Sequence, residues 1–295
     1  MEKFDTLITE KRNQKSMKLD SMNTLSFITL MNDEDQLVVK AVQEILEDIE
    51  KVIIKTTEAI RNGGRLIYIG AGTSGRLGII DAVECKPTFS TTNEVLAVIA
   101  GGEHAFIEAV EGAEDNETLA KNDLQDLKLT ENDVVLAIAA SGRTPYAIGA
   151  LKYAKQLGSL AVGLSCNKGS QLSLYSDFII EVEVGSEVIT GSTRLKAGTA
   201  TKMILNMIST ATMVNLGKTY SNLMVDVKPT NYKLVERTKR IVMDATQCSY
   251  QEAEKMLKKS NLQPKIAILM ILLNCTMEEA IERLARNPKI IDAIE

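Results

Sequence analysis

Histidine is almost missing from this chain: His104 is the only one in 295 residues. That absence excludes multi-histidine metal sites. A Ser-His-Asp arrangement would have to use His104, and no G-x-S-x-G elbow supports one, because the turn Gly72-Thr73-Ser74-Gly75 has the wrong spacing. Cysteine is sparse as well. Cys85, Cys166, Cys248 and Cys275 are widely separated and form no C-x-x-C pair, so neither a zinc knuckle nor a disulfide framework is suggested. Any acid–base chemistry falls largely to carboxylates.

Long apolar runs are also lacking. The longest, near Ile266 to Leu273, is far too short to span a bilayer, and Met1 to Ser16 alternates charged and polar residues without the apolar core of a secretion signal. A soluble, cytoplasmic protein with no membrane partner is expected. No block of basic residues is interleaved with aromatics, and 34 basic against 39 acidic residues leave a formal net charge of −5, so nucleic acid is not an expected partner. What is present is ordinary globular material: 45% hydrophobic residues, enough to fill one large α/β domain or a medium domain with a small appendage.

The pattern along the chain predicts an α/β fold, a doubly wound parallel sheet with a small C-terminal helical bundle. Residues 1 to 30 show no strong period and read as an arm or irregular cap. Asn32 then precedes Asp33-Glu34-Asp35, and apolar residues keep helical spacing until Asn62-Gly63-Gly64, which predicts one long helix over 33–62. Strands are expected at Leu66 to Ile69, Val95 to Ile99, Val134 to Ala139, Leu160 to Leu164 and Phe178 to Val182, with helices between most of them and a long helix from about Ala197 to Gly217. After Lys228-Pro229-Thr230 the strands stop. Ser249-Tyr250-Gln251-Glu252 and Thr276-Met277-Glu278-Glu279 match the capping box and frame an apolar helix near Ile266 to Leu273, so the domains are expected at 1–230 and 231–295.

Two strand ends carry the chemistry. Leu66 to Gly78 runs from apolar strand into Gly70-Ala71-Gly72-Thr73-Ser74-Gly75 and then into a helix. Such a loop lets the backbone approach an anion, while the N–H groups and dipole of the helix N-terminus stabilise its charge. The strand Asp133 to Ala140 ends likewise in Ser141-Gly142-Arg143-Thr144-Pro145, with a helix opening at Pro145. In one parallel sheet these strand ends would converge on the crevice where open α/β sheets hold ligands. The first loop also matches the dinucleotide fingerprint G-x-G-x-x-G, with Glu103 available as its acidic partner, and either loop alone could serve only close packing. The paired hydroxyls favour a monophosphate. A third loop, Thr190 to Thr199, adds Ser192, Thr193, Arg194 and Lys196 at another helix entrance, for which an ordinary N-cap with solvated charges is the plain alternative. Arg76, Arg143, Arg194 and Lys196 are the candidate phosphate cations. Glu84 and Glu114 read by pattern as a solvent-facing helix acid and part of a charged helix end.

The segments Gly70 to Cys85, Ala109 to Asp115, Ala139 to Tyr146 and Thr190 to Ala200 resemble the sugar isomerase (SIS) superfamily and, more narrowly, the N-acetylmuramic acid 6-phosphate etherases. The resemblance runs from Leu7-Ile8-Thr9-Glu10 through the helical tail. One departure is visible: Lys86 stands where the family often has the first of two prolines, and Pro87 remains. The resemblance implies an SIS-type sheet, a small phosphorylated amino sugar as partner, and cleavage of a D-lactyl ether in cell-wall amino sugar recycling without metal or cofactor. It puts the family's proton-donor glutamate on Glu84 and its second catalytic glutamate on Glu114. Phosphate and substrate contacts are expected from Gly72, Thr73, Ser74, Ser141, Gly142, Arg143, Thr144, Ser192, Thr193 and Lys196. The superfamily builds its sites near subunit contacts, and the long amphipathic helices carry more apolar surface than one sheet face covers, so a homodimer is expected. A noncatalytic sugar-phosphate regulator and an aldose-ketose phosphosugar isomerase are the alternatives.

Overall fold

The structure, a computed structural model, describes residues 7–108, 110–227, 229 and 232–295. Outside them lie residues 1–6 of the expected arm, Ala109 of one resemblance segment, and Lys228, Thr230 and Asn231 around the expected domain boundary. The chain divides into two compact units, Met1–Ala82 with Asn93–Ser209, and Val83–Thr92 with Thr210–Glu295.

In the first unit three short 3-10 turns between Ile8 and Ser21 precede α1 (Thr24–Gln43) and α2 (Leu46–Arg61). The single helix expected over 33–62 is therefore two, and the first begins earlier. Asn23 caps it, its side chain accepting from Ser26 N at 2.9 Å, and the chain bends at Ile45, whose φ of −118° and ψ of 17° are not helical. The early start escapes the pattern because none of residues 24–33 is buried, so the apolar residues there mark no inward stripe; the buried residues of α1 are Glu34, Val38 and Val42.

The strands β1 (Leu66–Gly70), β2 (Val95–Ile99), β3 (Val134–Ile138), β4 (Leu160–Ser165) and β5 (Phe178–Glu181) form one parallel sheet in the order β2-β1-β3-β4-β5. Every residue of β1 and β3 is buried, as parallel strands covered on both faces require. The connecting helices are α3 (Gly72–Phe89), α4 (His104–Ile107), α5 (Glu117–Asp126) and α6 (Pro145–Leu157), and α7 (Lys196–Asn215) follows β5. Alternate residues of β1 face opposite layers. Ile67 and Ile69 join the core made with α5 and α6, whereas the Tyr68 hydroxyl donates to Asp81 of α3 at 2.9 Å. Asp81 is buried and also accepts from Asn206 Nδ2 at 2.6 Å and Ser209 Oγ at 3.1 Å, so a carboxylate with three donors ties β1, α3 and α7 together. At the amino ends of β1 and β3, Arg65 grips Asp133 with two hydrogen bonds of 3.0 and 2.7 Å.

The sheet order reverses at β1. The chain leaves β1 for β2 on one side and returns to β3 on the other, so the carboxyl ends of β1 and β3 flank the switch point. Gly70 and Ile138 are register partners there, which makes the loops that follow them neighbours.

The second unit contains a short antiparallel hairpin, β6 (Thr219–Tyr220) and β7 (Leu223–Met224), then α8 (Tyr232–Thr246), α9 (Tyr250–Lys259), α10 (Pro264–Leu273), α11 (Met277–Arg286) and α12 (Ile290–Ala293). Ile266 to Met270 of α10 are buried among Val242, Leu257, Ala280 and Ile290. Thr276 and Glu279 make the reciprocal capping box, and the Ser249 hydroxyl accepts from Glu252 N at 3.2 Å. Among the described residues no helix is long and apolar enough to cross a membrane.

Candidate active site

Gly72, Thr73 and Ser74 open α3 directly after β1. Gly75 is needed for that close turn: a Cβ there would lie 2.6 Å from both the Gly70 oxygen and Ile99 Cγ1, so a side chain would push the helix off the strand end. The second loop, after β3, is held by Gly142. Its φ is +70°, its N–H donates to Ala139 O at 2.8 Å, and its own oxygen accepts from Leu172 N at 3.1 Å. Thr144 precedes Pro145 at the start of α6 without its side chain capping the helix. Ser141 Oγ accepts from Arg143 N at 3.3 Å.

These loops enclose a cavity of about 230 Å³ at the switch point. Its lining brings together Gly72, Thr73, Ser74, Ser141 and Thr144 from the first two loops, Thr193 from the third, and Glu114. Glu114 lies on a 3-10 turn, Ala113–Asp115, that starts from Gly112 in the left-handed region at φ 75°. Hydroxyl and backbone donors at two helix starts make the floor a place for an anion.

Other expected residues stand elsewhere. Gly142 shapes the second loop rather than lining the cavity, and Arg143 and Ser192 are outside the lining. Lys196 is buried, and its ammonium donates to Glu34 Oε2 at 2.6 Å, so the cation of the third loop is engaged away from the cavity. The entrance of α7 is closed too: Glu187, fully buried, accepts from Lys196 N and Ala197 N at 3.0 Å each. Burial raises the Glu187 carboxyl above the usual range, partly offset by those two N–H donors. Arg76 is likewise occupied, donating to the carbonyls of Phe106 at 2.9 Å and Ala105 at 2.8 Å. Arg194 is exposed.

Glu84 lies on the C-terminal part of α3, exposed and beyond Ala82, and is not among the lining residues. His104 is a surface residue, its side chain 80% exposed with Nε2 3.9 Å from Glu108 Oε2. Among the described residues no group of three His, Cys, Asp or Glu side chains is placed to hold a metal ion.

The cavity is also lined by Gly191 of the third loop and by two residues that pattern reading does not find, Glu10 and Thr201. Thr201 lies one helical turn beyond Ala197 on α7, within an ordinary helical pattern. Glu10 comes from the segment before the first helix, where no period signals a role.

The profile of the glucokinase regulatory protein N-terminal SIS domain matches residues 37–155, a span that holds both glycine and hydroxyl loops, Glu84 and Glu114. An N-acetylmuramic acid 6-phosphate etherase from Francisella tularensis subsp. tularensis is 55% identical over 289 residues, covering 98% of this chain and 98% of its own. The chain belongs to the N-acetylmuramic acid 6-phosphate etherase family. A family member from Geobacillus sp. is 56% identical over 284 residues, covering 96% of each chain. The family's fold extends to a phosphoheptose isomerase of Francisella tularensis, a solved structure with a TM-score of 0.50 at 17% identity that covers 65% of this chain and 98% of that one. The family assignment and the matched profile make this chain an SIS-domain member of an enzyme family of carbohydrate metabolism.

Proposed function

We propose that this chain removes the D-lactyl ether from carbon 3 of N-acetylmuramic acid 6-phosphate, giving N-acetylglucosamine 6-phosphate and D-lactate. The observation that carries the reading is the lining of one switch-point cavity by Glu114 together with the hydroxyl-bearing residues Ser74, Ser141 and Thr144. The phosphate occupies the floor formed by the two helix starts. In the open-chain aldehyde the proton on carbon 2 is acidified by the neighbouring carbonyl, and Glu114 takes it. The electron pair left on carbon 2 forms the carbon 2–carbon 3 double bond as the ether bond at carbon 3 breaks. An alkoxide is a poor leaving group, so the lactate oxygen departs with a proton from Glu84. Water then adds at carbon 3, giving its proton to Glu84, and Glu114 returns the proton to carbon 2. The lyase chemistry closes with both glutamates in their starting forms, and no cofactor enters the balance. Glu84 takes its role from the family resemblance; Glu114 has the cavity as further support.

The reading includes a cytoplasmic enzyme of amino sugar recycling acting as a homodimer. Support for the dimer comes from α1, where Leu25, Ile28 and Val39 are 71%, 52% and 58% exposed. Light scattering at micromolar protein should give twice the chain mass, and a monomer mass would reject the dimer.

The test of the activity is incubation with N-acetylmuramic acid 6-phosphate and an assay for D-lactate. Release of lactate is the expected result. Tight sugar-phosphate binding without release would favour a noncatalytic regulator, the second reading, which the matched glucokinase regulatory protein domain supports.

A further inference from the structure

Glu10 reaches the cavity through a fastening of its own. It ends the 3-10 turn Ile8–Glu10, and the buried amide of Asn167, just after β4, holds that turn by two bonds: Ile8 N donates to Asn167 Oδ1 at 2.8 Å, and Asn167 Nδ2 donates to Thr9 Oγ1 at 3.2 Å. The same Nδ2 donates to Ala140 O at 2.9 Å, next to Ser141. One amide thus joins the N-terminal turn to the phosphate loop after β3. Three residues past Glu10 the chain is fastened again, with Asn13 Nδ2 donating to Glu34 Oε2 at 2.8 Å and to Ser186 O at 3.1 Å. Between these anchors the Glu10 carboxylate makes no hydrogen bond or ion pair among the described residues, lines the cavity, and lies so near Gly191 that a Cβ there would stand 3.2 Å from Glu10 Oε2.

An ionised carboxylate only accepts hydrogen bonds, and beside a phosphate it would be repelled. The cavity therefore has two chemically different parts. Ser74, Ser141, Thr144 and the helix starts offer donors to an anion, while Glu10 offers acceptor oxygens to a hydroxyl or amide N–H. A ligand that satisfies both carries a phosphate and, a few bonds away, hydroxyl donors. We propose that Glu10 binds the sugar portion of the substrate, accepting hydrogen bonds from its hydroxyl or amide donors, and so determines specificity for a polyhydroxylated phosphate over phosphate alone. This rests on the phosphosugar reading of the site given above. Fixing the turn at both ends holds the carboxylate ready before the ligand arrives, which lowers the ordering cost of binding.

The test compares the parent, Glu10→Gln and Glu10→Ala for binding of N-acetylglucosamine 6-phosphate by calorimetry and of inorganic phosphate by ³¹P NMR, with thermal melts of all three. Glu10→Gln should weaken the sugar phosphate about tenfold or more. Inorganic phosphate should bind as before or more tightly, and the melts should coincide because the carboxylate makes no internal bond. Sugar-phosphate binding equal to the parent would overturn the proposal. Equal losses for both ligands would also overturn it, by showing that Glu10 only supports the loop. A parent that binds N-acetylglucosamine 6-phosphate not at all would remove the phosphosugar reading itself, and the inference with it.

Discussion

The ammonium of Lys196 lies 2.6 Å from Glu34 Oε2, and both side chains are almost wholly withdrawn from water at 2% and 4% exposure. The pair joins the start of α7 to the middle of α1, and Glu34 gains further donors from Lys15 at 2.8 Å and Asn13 at 2.8 Å. Burial alone would raise the Glu34 carboxyl, but hydrogen bonds from Lys15, Lys196 and Asn13 outweigh it and hold the pKa at about 2, below its ordinary 4.5. A carboxyl depressed in the folded state contributes stability that is full above pH 4.5 and is lost as pH falls toward 2. Asp133 adds to the same acid limb: burial, which raises it, is outweighed by Arg65 and Thr130.

Lys196→Met should therefore cost about 3 kcal/mol of unfolding free energy, because it leaves a buried carboxylate short of its closest cation. Urea unfolding at neutral pH measures it. Glu34→Gln should flatten the stability profile between pH 4.5 and 2 relative to the parent. An unchanged acid limb would remove Glu34 as its source.

Gly142→Ala should disable the second loop. The new Cβ would sit 2.3 Å from Ser170 Cβ and 2.6 Å from Ser165 Oγ, at a φ of +70° that L residues rarely adopt. Strain and overpacking together should cost about 2–4 kcal/mol, and sugar-phosphate binding should fall with it because Ser141 and Thr144 flank the displaced residue. A variant melting with the parent would mean that the loop yields more easily than its packing indicates.

Ser141→Ala tests the phosphate floor more gently. Ser141 lines the cavity, and among the described residues its hydroxyl accepts from Arg143 N at 3.3 Å, so its removal costs the fold one long backbone bond. Binding of N-acetylglucosamine 6-phosphate should weaken about ten- to a hundredfold, the range for a lost hydrogen bond to a charged group, with the melt unchanged. Parent-like affinity would move the phosphate away from this loop.

Much of this architecture is written locally. β1 and β3 read as unbroken apolar runs because both of their faces are covered, and the hydroxyl loops announce themselves because glycine and hydroxyl residues interrupt those runs at the strand ends. What stays hidden is polar and distant. Glu34 of α1 is buried because Lys196 and Asn13 supply its donors, and Lys239 of α8 because Glu236 and Glu254 pair with it, so neither is announced as an inward residue by its type. Lys196 reads as a phosphate cation because its partner Glu34 stands 162 positions away, and Glu10 carries no pattern signal because the contact between Ile8 and Asn167 that fastens its turn spans 159. The two glutamates are named by the family resemblance and not by pattern. Glu114 stands in the cavity, while Glu84 is exposed on α3.

The glutamate roles are testable one at a time. Removal of the carbon 2 proton precedes departure of lactate, so only the donor role is specific to breaking the ether bond. Glu84→Gln should lose D-lactate release by about a hundredfold or more, yet still exchange the carbon 2 hydrogen of a bound sugar phosphate with deuterium, because Glu114 remains as base. Glu114→Gln should lose both activities. Proton NMR in deuterium oxide beside a D-lactate assay reads the two together. If Glu84→Gln released lactate at the parent rate, Glu84 would have no part in the reaction; if exchange survived only in Glu114→Gln, the base would be Glu84 and the donor Glu114, with the overall reaction unchanged.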